Sequence, residues 1–290
     1  MDANKTKASI KDASKSKGQH PQNAAEAVAW ARKSGVKIVD YKFTDLLGTM
    51  QHISYAADKL KESVFAEGIG FDGSSIRGFQ SINESDMLLL PDPATAFIDP
   101  ALKIPTLSFL CTVKDPVSGK GYLKDPRSIA RRAEEYLLKS GIATESWWGP
   151  EAEFFVFDSA RFDLGQHGSF YELDSVEGIW NTGKDNAGQP NLAYKIRNKE
   201  GYFPTPPMDT LQDFRSEAIL RMIEAGLDID LHHHEVATGG QGEIGVGVRT
   251  LTSAADQLVL YKYILKNVAR EHGKTVTFMP KPLFGDNGTG

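Results

Sequence analysis

The sequence predicts an α+β fold in two parts, a small sheet-rich first domain followed by a larger mixed unit. Three observations predict it. Val36-Lys37-Ile38-Val39-Asp40-Tyr41-Lys42-Phe43 alternates apolar and polar side chains, as a half-buried strand does, and strand-like pieces broken by Gly/Pro turns continue through Cys111 and Val113. Residues 114–124, with Pro116, Gly119 and Gly121, read as a linker. Beyond it, helical patterns alternate with strands that carry glutamates.

The elements follow in order. Residues 1–22 are rich in Lys, Ser, Ala and Asp with almost nothing apolar, the composition of a disordered tail. Residues 24–33 predict a helix, capped by Asn23 and ended by Gly35. A second helix begins at Asp125-Pro126, where Asp125 can cap and proline suits the first turn. It places Ile129, Ala133, Tyr136 and Leu137 on one face and closes at Gly141. Further helices are predicted over 213–225 and 254–272, ended by Gly226 and Gly273. Leu258, Tyr261, Ile264, Leu265 and Val268 form the apolar stripe of the last, read as core packing.

Four glutamates carry the chemistry. Glu151 and Glu153 lie in Gly149-Pro150-Glu151-Ala152-Glu153-Phe154-Phe155, and Glu235 and Glu243 flank a glycine-rich turn. On a strand, Glu151, Glu153, Phe155 and Phe157 share one face. Carboxylates that close raise each other's pKa unless a cation sits between them. The bland alternative is a strand end standing in water. His233 and Glu235 share a face of the next strand while His232 and His234 point away, and a hairpin through 238–242 brings Glu243 back within reach. Oxygen donors suit Mg²⁺ or Mn²⁺; the split histidines argue against zinc. His232 and His234 read as packing residues.

Composition narrows the class. The 290 residues carry a net charge of −5, which argues against a general nucleic-acid binder. A single cysteine, Cys111, excludes an internal disulfide framework and fits a reducing cytosol. No apolar run approaches the ~20 residues that cross a bilayer. The glycine-rich stretches 68–78 and 284–290 could be ligand loops or plain tight turns.

Taken together, the segments resemble the bacterial type I glutamine synthetase family from about Val36 to Gly290. Phe43-Thr44-Asp45, Gln51-His52, Phe71-Asp72-Gly73-Ser74-Ser75, Asn83-Glu84-Ser85-Asp86-Met87 and Ile98-Asp99-Pro100 carry the likeness in the first half. In the second half it is carried by Gly149-Pro150-Glu151 with Glu153-Phe154-Phe155, Gly201-Tyr202-Phe203-Pro204, His232-His233-His234-Glu235-Val236 and Lys281-Pro282-Leu283-Phe284-Gly285-Asp286-Asn287-Gly288.

The resemblance implies a β-grasp domain over 23–118 and a catalytic domain from 125 to 290 whose C-terminal part is missing. It implies a ligase joining ammonia to L-glutamate through γ-glutamyl phosphate, with ATP as substrate and two Mg²⁺ or Mn²⁺ ions per site. Glu153, Glu235 and Glu243 match ligands of the ion facing glutamate and ammonium, and Glu151 a ligand of the ion that grips ATP. Asp72 matches the residue that takes a proton from ammonium, donated across a subunit boundary. Tyr202, with Glu235, lines that pocket. Asp230 and His233 match positions at the nucleotide and transferred phosphate, Asn287 and Gly288 the glutamate loop. A cytoplasmic homododecamer is implied for the full-length protein, with no nucleic-acid or membrane partner.

The sequence also departs from the family. It stops before a further histidine and glutamate ligand and before the substrate-binding arginines. Gly247-Val248 replaces a usual arginine-phenylalanine pair, Phe79 a tryptophan, and Asp230 a glutamate. An N-terminal fragment, inactive by itself, is therefore expected. A non-catalytic homologue and a related γ-glutamyl–amine ligase are the alternatives.

Overall fold

The computed structural model describes residues 20–183, 185 and 188–289. Most of the predicted tail, residues 1–19, and Gly290 lie outside them. His20 and Pro21, assigned to that tail, are packed. His20 Nδ1 lies 2.9 Å from the Ala96 carbonyl, its ring meets Trp30 edge-on, and Pro21 is buried.

Two compact units are present. The first comprises the described residues up to Trp148 with Glu224–Gly226 and Arg249–Val259; the second comprises Gly149–Ile223, Leu227–Val248 and the described residues from Leu260.

In the first unit, helix α1 (Ala24–Lys33) starts where Asn23 accepts from the Glu26 amide, and Ala27, Val28 and Ala31 are its buried face. Strands β1 (Ile38–Thr44), β2 (Met50–Ala56), β3 (Ile69–Asp72), β4 (Asp86–Pro91), β5 (Phe97–Ile98) and β6 (Thr106–Lys114), with the short helix α2 (Val64–Glu67) before β3, complete the sheet domain. The sheet order is β2-β1-β6-β4-β3, with β5 on β6, and β1 runs parallel to β6. This is the β-grasp arrangement the resemblance implies. Val39, Tyr41, Phe43, Met87, Leu89, Leu107 and Phe109 form its core.

Strand β1 corrects the sequence reading, because it is buried on both faces. Its polar face holds an ionic cluster. Lys42 Nζ contacts Asp40 and lies 3.2 Å from Asp99 Oδ2, while Asp40 also accepts from Ser54 at 2.5 Å and meets His52 Nδ1 at 2.8 Å. Alternation of apolar and polar residues here marks two kinds of interior rather than interior and solvent.

The predicted linker is a tight reversal: Lys114 bridges to Gly121, and Asp115 accepts from the amides of Val117 and Ser118. Helix α3 (Pro126–Ser140) then begins on Asp125, which accepts from the amides of Arg127 and Ser128, and ends on Gly141 in the left-handed region. Its expected apolar face stays open, with Ile129 and Tyr136 exposed. Strand β7 (Trp147–Trp148) follows.

The second unit contains β8 (Glu153–Phe157), the hairpin β9 (Ser159–Gly165) and β10 (Gly168–Asp174), α4 (Gln212–Glu224), β11 (Ile229–His234) and β12 (Gln241–Val246). Strand β13 (Arg249–Thr250) belongs to the first unit, where it pairs with β7, and leads into α5 (Leu251–Glu271), whose residues from Leu260 belong to the second unit, as does β14 (Thr275–Thr277). The order β11-β12-β8-β14 is antiparallel throughout. Tyr261, Ile264, Leu265 and Val268 of α5 are fully buried, as their helical spacing predicts, and Leu258 half-buried. Tyr261 also donates to the Ala152 carbonyl at 2.8 Å, fixing the chain just ahead of Glu153. Among the described residues no helix is long and apolar enough to cross a membrane.

Candidate metal and substrate site

Register alone builds the centre of the site. On the β11-β12-β8 ladder His233 pairs with Glu243, and Glu243 pairs with Glu153. Partners on adjacent strands put their side chains on one face, so three ligating groups stand in a row. Glu235, two positions beyond His233, joins the same face.

The turn between β11 and β12 is tightly specified. The Glu235 amide donates to the Gln241 carbonyl at 2.9 Å, and the Val156 amide to the Gly240 carbonyl at 3.0 Å. Gly240 has φ +83°, and a Cβ there would stand 2.6 Å from the Val156 carbonyl oxygen. Only glycine meets both demands. Gly201 is equally constrained, since a Cβ would lie 2.5 Å from the Glu235 carbonyl oxygen.

His233 sits between two carboxylates. Nδ1 is 3.3 Å from Glu235 Oε1 and Nε2 is 3.4 Å from Glu243 Oε2. One ligand atom each from His233, Glu235 and Glu243 falls within 4.8 Å of the others. Glu153 stands next in the row, its carboxylate accepting from Gln241 Nε2. Burial raises the Glu243 carboxyl above the usual carboxylate range; His233 opposes this, and Glu235, Glu151 and Glu153 add to it. A half-buried acid surrounded by three more is a favourable place for a hard divalent cation, so the donor set fits one.

Glu151 precedes β8 and is exposed, where the sequence reading placed it on the strand with Glu153. It still adds to the field at Glu243. Tyr202 and Phe203 stack at 3.8 Å and present their rings edge-on to His233, at 5.7 and 4.8 Å. Phe203 has φ +62°, an unusual conformation for an aromatic residue. Asp230 is exposed at a register shift in β11.

The loop with Asn287 and Gly288 is tied to the hairpin. Asp286 accepts from the Thr238 amide at 2.9 Å, and Gly288 O lies 3.3 Å from Gln241 Nε2. Asp72 belongs to the first unit, at the end of β3. There it accepts from the Ser74 amide at 2.8 Å and the Ser74 and Ser75 hydroxyls at 2.6 and 3.2 Å, and the Ser74 bonds foremost hold its carboxyl below the usual range.

The other two histidines pack as expected. His232 meets Arg215 Nε at 3.2 Å and Ser216 at 3.1 Å. His234 is buried with Nε2 2.9 Å from Glu177 Oε2 and Nδ1 2.7 Å from the carbonyls of Gly201 and Glu235. Sequence reasoning missed Gln241, Glu177 and Phe203. Gln241 offered a signal, a polar side chain amid glycines at a strand start; Glu177, in an irregular loop, offered none.

Comparison with known families decides the assignment. Residues 35–116 match the glutamine synthetase β-grasp domain, and residues 123–290 match the glutamine synthetase catalytic domain. The chain belongs to the glutamine synthetase family. A glutamine synthetase of Nostoc sp. is 54% identical over 256 residues, covering 88% of this chain and 54% of that protein. One from Mycobacterium bovis is 53% identical over 262 residues, covering 90% and 55%. A cryo-electron-microscopy structure of Plasmodium falciparum glutamine synthetase superposes with a TM-score of 0.84 at 29% identity, covering 92% of this chain and 52% of that one. The chain thus spans about half the length of the curated relatives it matches.

Proposed function

We propose that this chain is part of an ATP-dependent ligase that joins ammonia to L-glutamate and yields L-glutamine. One observation carries the reading, the register-locked row His233, Glu243 and Glu153 with Glu235 on the same face. The names of its relatives agree with it.

A carboxylate resists attack by an amine until it is activated. Transfer of the γ-phosphoryl group of ATP to the glutamate side chain gives γ-glutamyl phosphate and ADP; ammonia then attacks the acyl carbon and phosphate leaves. Bound Mg²⁺ or Mn²⁺, two per site, supplies charge neutralisation at the phosphoryl oxygens. In this reading Glu153, Glu235 and Glu243 hold the ion nearer glutamate, and Glu151 contributes to the one nearer ATP. His233 and Asp230 serve the phosphate and nucleotide, and Asn287 and Gly288 the amino-acid substrate. Asp72 accepts the proton that ammonium must lose before it can attack. Tyr202 offers an aromatic edge and Glu235 a negative charge to that small cation.

The same reading assigns 23–118 to the β-grasp domain and 125–290 to the catalytic domain. It takes the working protein to be a cytoplasmic homododecamer whose partners are small molecules, neither nucleic acid nor membrane.

The test is direct. The protein carrying this chain, given L-glutamate, ATP, ammonium and Mg²⁺, forms L-glutamine and phosphate. Glu243→Gln abolishes both, whereas Asp72→Ala impairs ammonium use more than ATP binding. Failure to form glutamine, or full activity in Glu243→Gln, contradicts the reading.

A further inference from the structure

Gln241 is fully buried, and its carboxamide is completely used. Oε1 accepts from the Ala237 amide at 2.8 Å, while Nε2 donates to Glu153 Oε2 and lies 3.3 Å from the Gly288 carbonyl oxygen. The orientation of the amide follows from these partners. A backbone N–H can only donate, so Oε1 must face Ala237; a carboxylate and a carbonyl can only accept, so the NH₂ group must face Glu153 and Gly288. The flipped amide would leave all three contacts wrong at once. No other side chain of this length offers one acceptor and two donors in that geometry: glutamate cannot donate, and methionine can do neither.

The same residue also reaches Glu235, whose amide donates to the Gln241 carbonyl at 2.9 Å. Gln241 therefore touches Glu153 through its side chain, Glu235 through its backbone, and the 286–289 loop through Gly288. The N–H donated to Glu153 Oε2 holds the carboxylate in one rotation.

We propose that Gln241 is a positioning residue that fixes Glu153 as an ion ligand and ties it to the loop carrying Asn287 and Gly288. This rests on the metal-site reading above. Outer partners of metal ligands are worth roughly 10- to 100-fold in affinity.

The experiment is an Mn²⁺ titration of the 290-residue chain, followed by the electron paramagnetic resonance signal of free Mn²⁺, for wild type, Gln241→Met and Gln241→Ala. Expected are Mn²⁺ binding by wild type and a Kd raised about 10-fold or more in both variants. Thermal unfolding is recorded alongside. A lowered melting temperature with an unchanged Kd would mean a purely structural glutamine and overturn the proposal. A second measurement needs no substitution: Mg²⁺ added to the wild-type chain shifts the Gln241 side-chain NH₂ resonances, and resonances unmoved at saturating Mg²⁺ overturn it. If wild type binds no Mn²⁺ at all, the metal-site reading falls and this inference with it. Equal binding by wild type and variants removes the inference alone.

Discussion

Glu153 stands directly across the β8–β12 ladder from Glu243, one carboxylate beside another on a half-buried face. Like charges directly opposite on a sheet are unfavourable by ~0.2–1 kcal/mol. Folding stability is set against that repulsion, and an ion would relieve it.

The first prediction follows from this pair. Glu153→Gln keeps an acceptor for Gln241 and removes one charge, so without metal the variant is more stable by ~0.5 kcal/mol. Urea unfolding in chelator measures this. The same variant binds Mn²⁺ more weakly. A variant less stable than wild type without metal would show that the two carboxylates do not repel.

A second prediction concerns pH and the first unit. Burial would raise the Asp40 carboxyl, but Lys42 and the hydrogen bonds from Lys42, Ser54 and His52 outweigh it and hold the group below the usual range. A depressed carboxyl stabilises the fold above the unfolded pKa of ~3.9. That contribution is lost as pH falls further, through the lower folded value. Acid unfolding should therefore begin at higher pH in Asp40→Asn than in wild type, when both are compared by β-grasp fluorescence. Lys42→Met, which strands Asp40 and Asp99 without their buried cation, should cost about 3–5 kcal/mol at pH 7.

A third prediction concerns the start of α3. Asp125 caps the helix and also accepts from the Val113 amide at 3.1 Å and the Ser128 hydroxyl at 2.7 Å. Removing it loses a cap and leaves a buried amide without its acceptor. Asp125→Ala should cost about 2 kcal/mol in urea unfolding, and Asp125→Asn should recover part of it.

The buried pair behind the site gives a fourth. Both nitrogens of His234 face acceptors, Glu177 on one side and the carbonyls of Gly201 and Glu235 on the other. Glu177 also accepts from the Thr210 amide at 2.6 Å. Glu177→Ala leaves the imidazole and that amide uncompensated and should destabilise the chain by about 3–5 kcal/mol. A loss under 1 kcal/mol would show that the pair contributes little.

Much of this was legible in the sequence. Asn23, Asp125, Gly35 and Gly141 announce helix ends because each supplies a cap or a left-handed turn that few residues supply. The glutamate row was legible because strand alternation and a short hairpin leave little freedom in where Glu235 and Glu243 point. Strand β1 was misread because a residue's polarity does not reveal its partner: Asp40 and Lys42 are interior because they satisfy each other. The α3 face was misread in the opposite sense, since apolar spacing shows which side can be buried, not that it is. Glu177 escaped because its partner His234 lies 57 residues away and its loop carries no local pattern; Gln241 stood out amid glycines, but its pairing with Glu153, 88 residues away, leaves no local trace.

The central claim is that acidic groups of the β11–β12 hairpin and of the neighbouring strand β8 act together on one divalent ion. Mn²⁺ titration of wild type beside the double variant Glu235→Gln/Glu243→Gln tests it most directly. The predicted result is that wild type removes one equivalent of Mn²⁺ from the free signal and the double variant removes almost none. Equal uptake by both, or none by wild type, would contradict it.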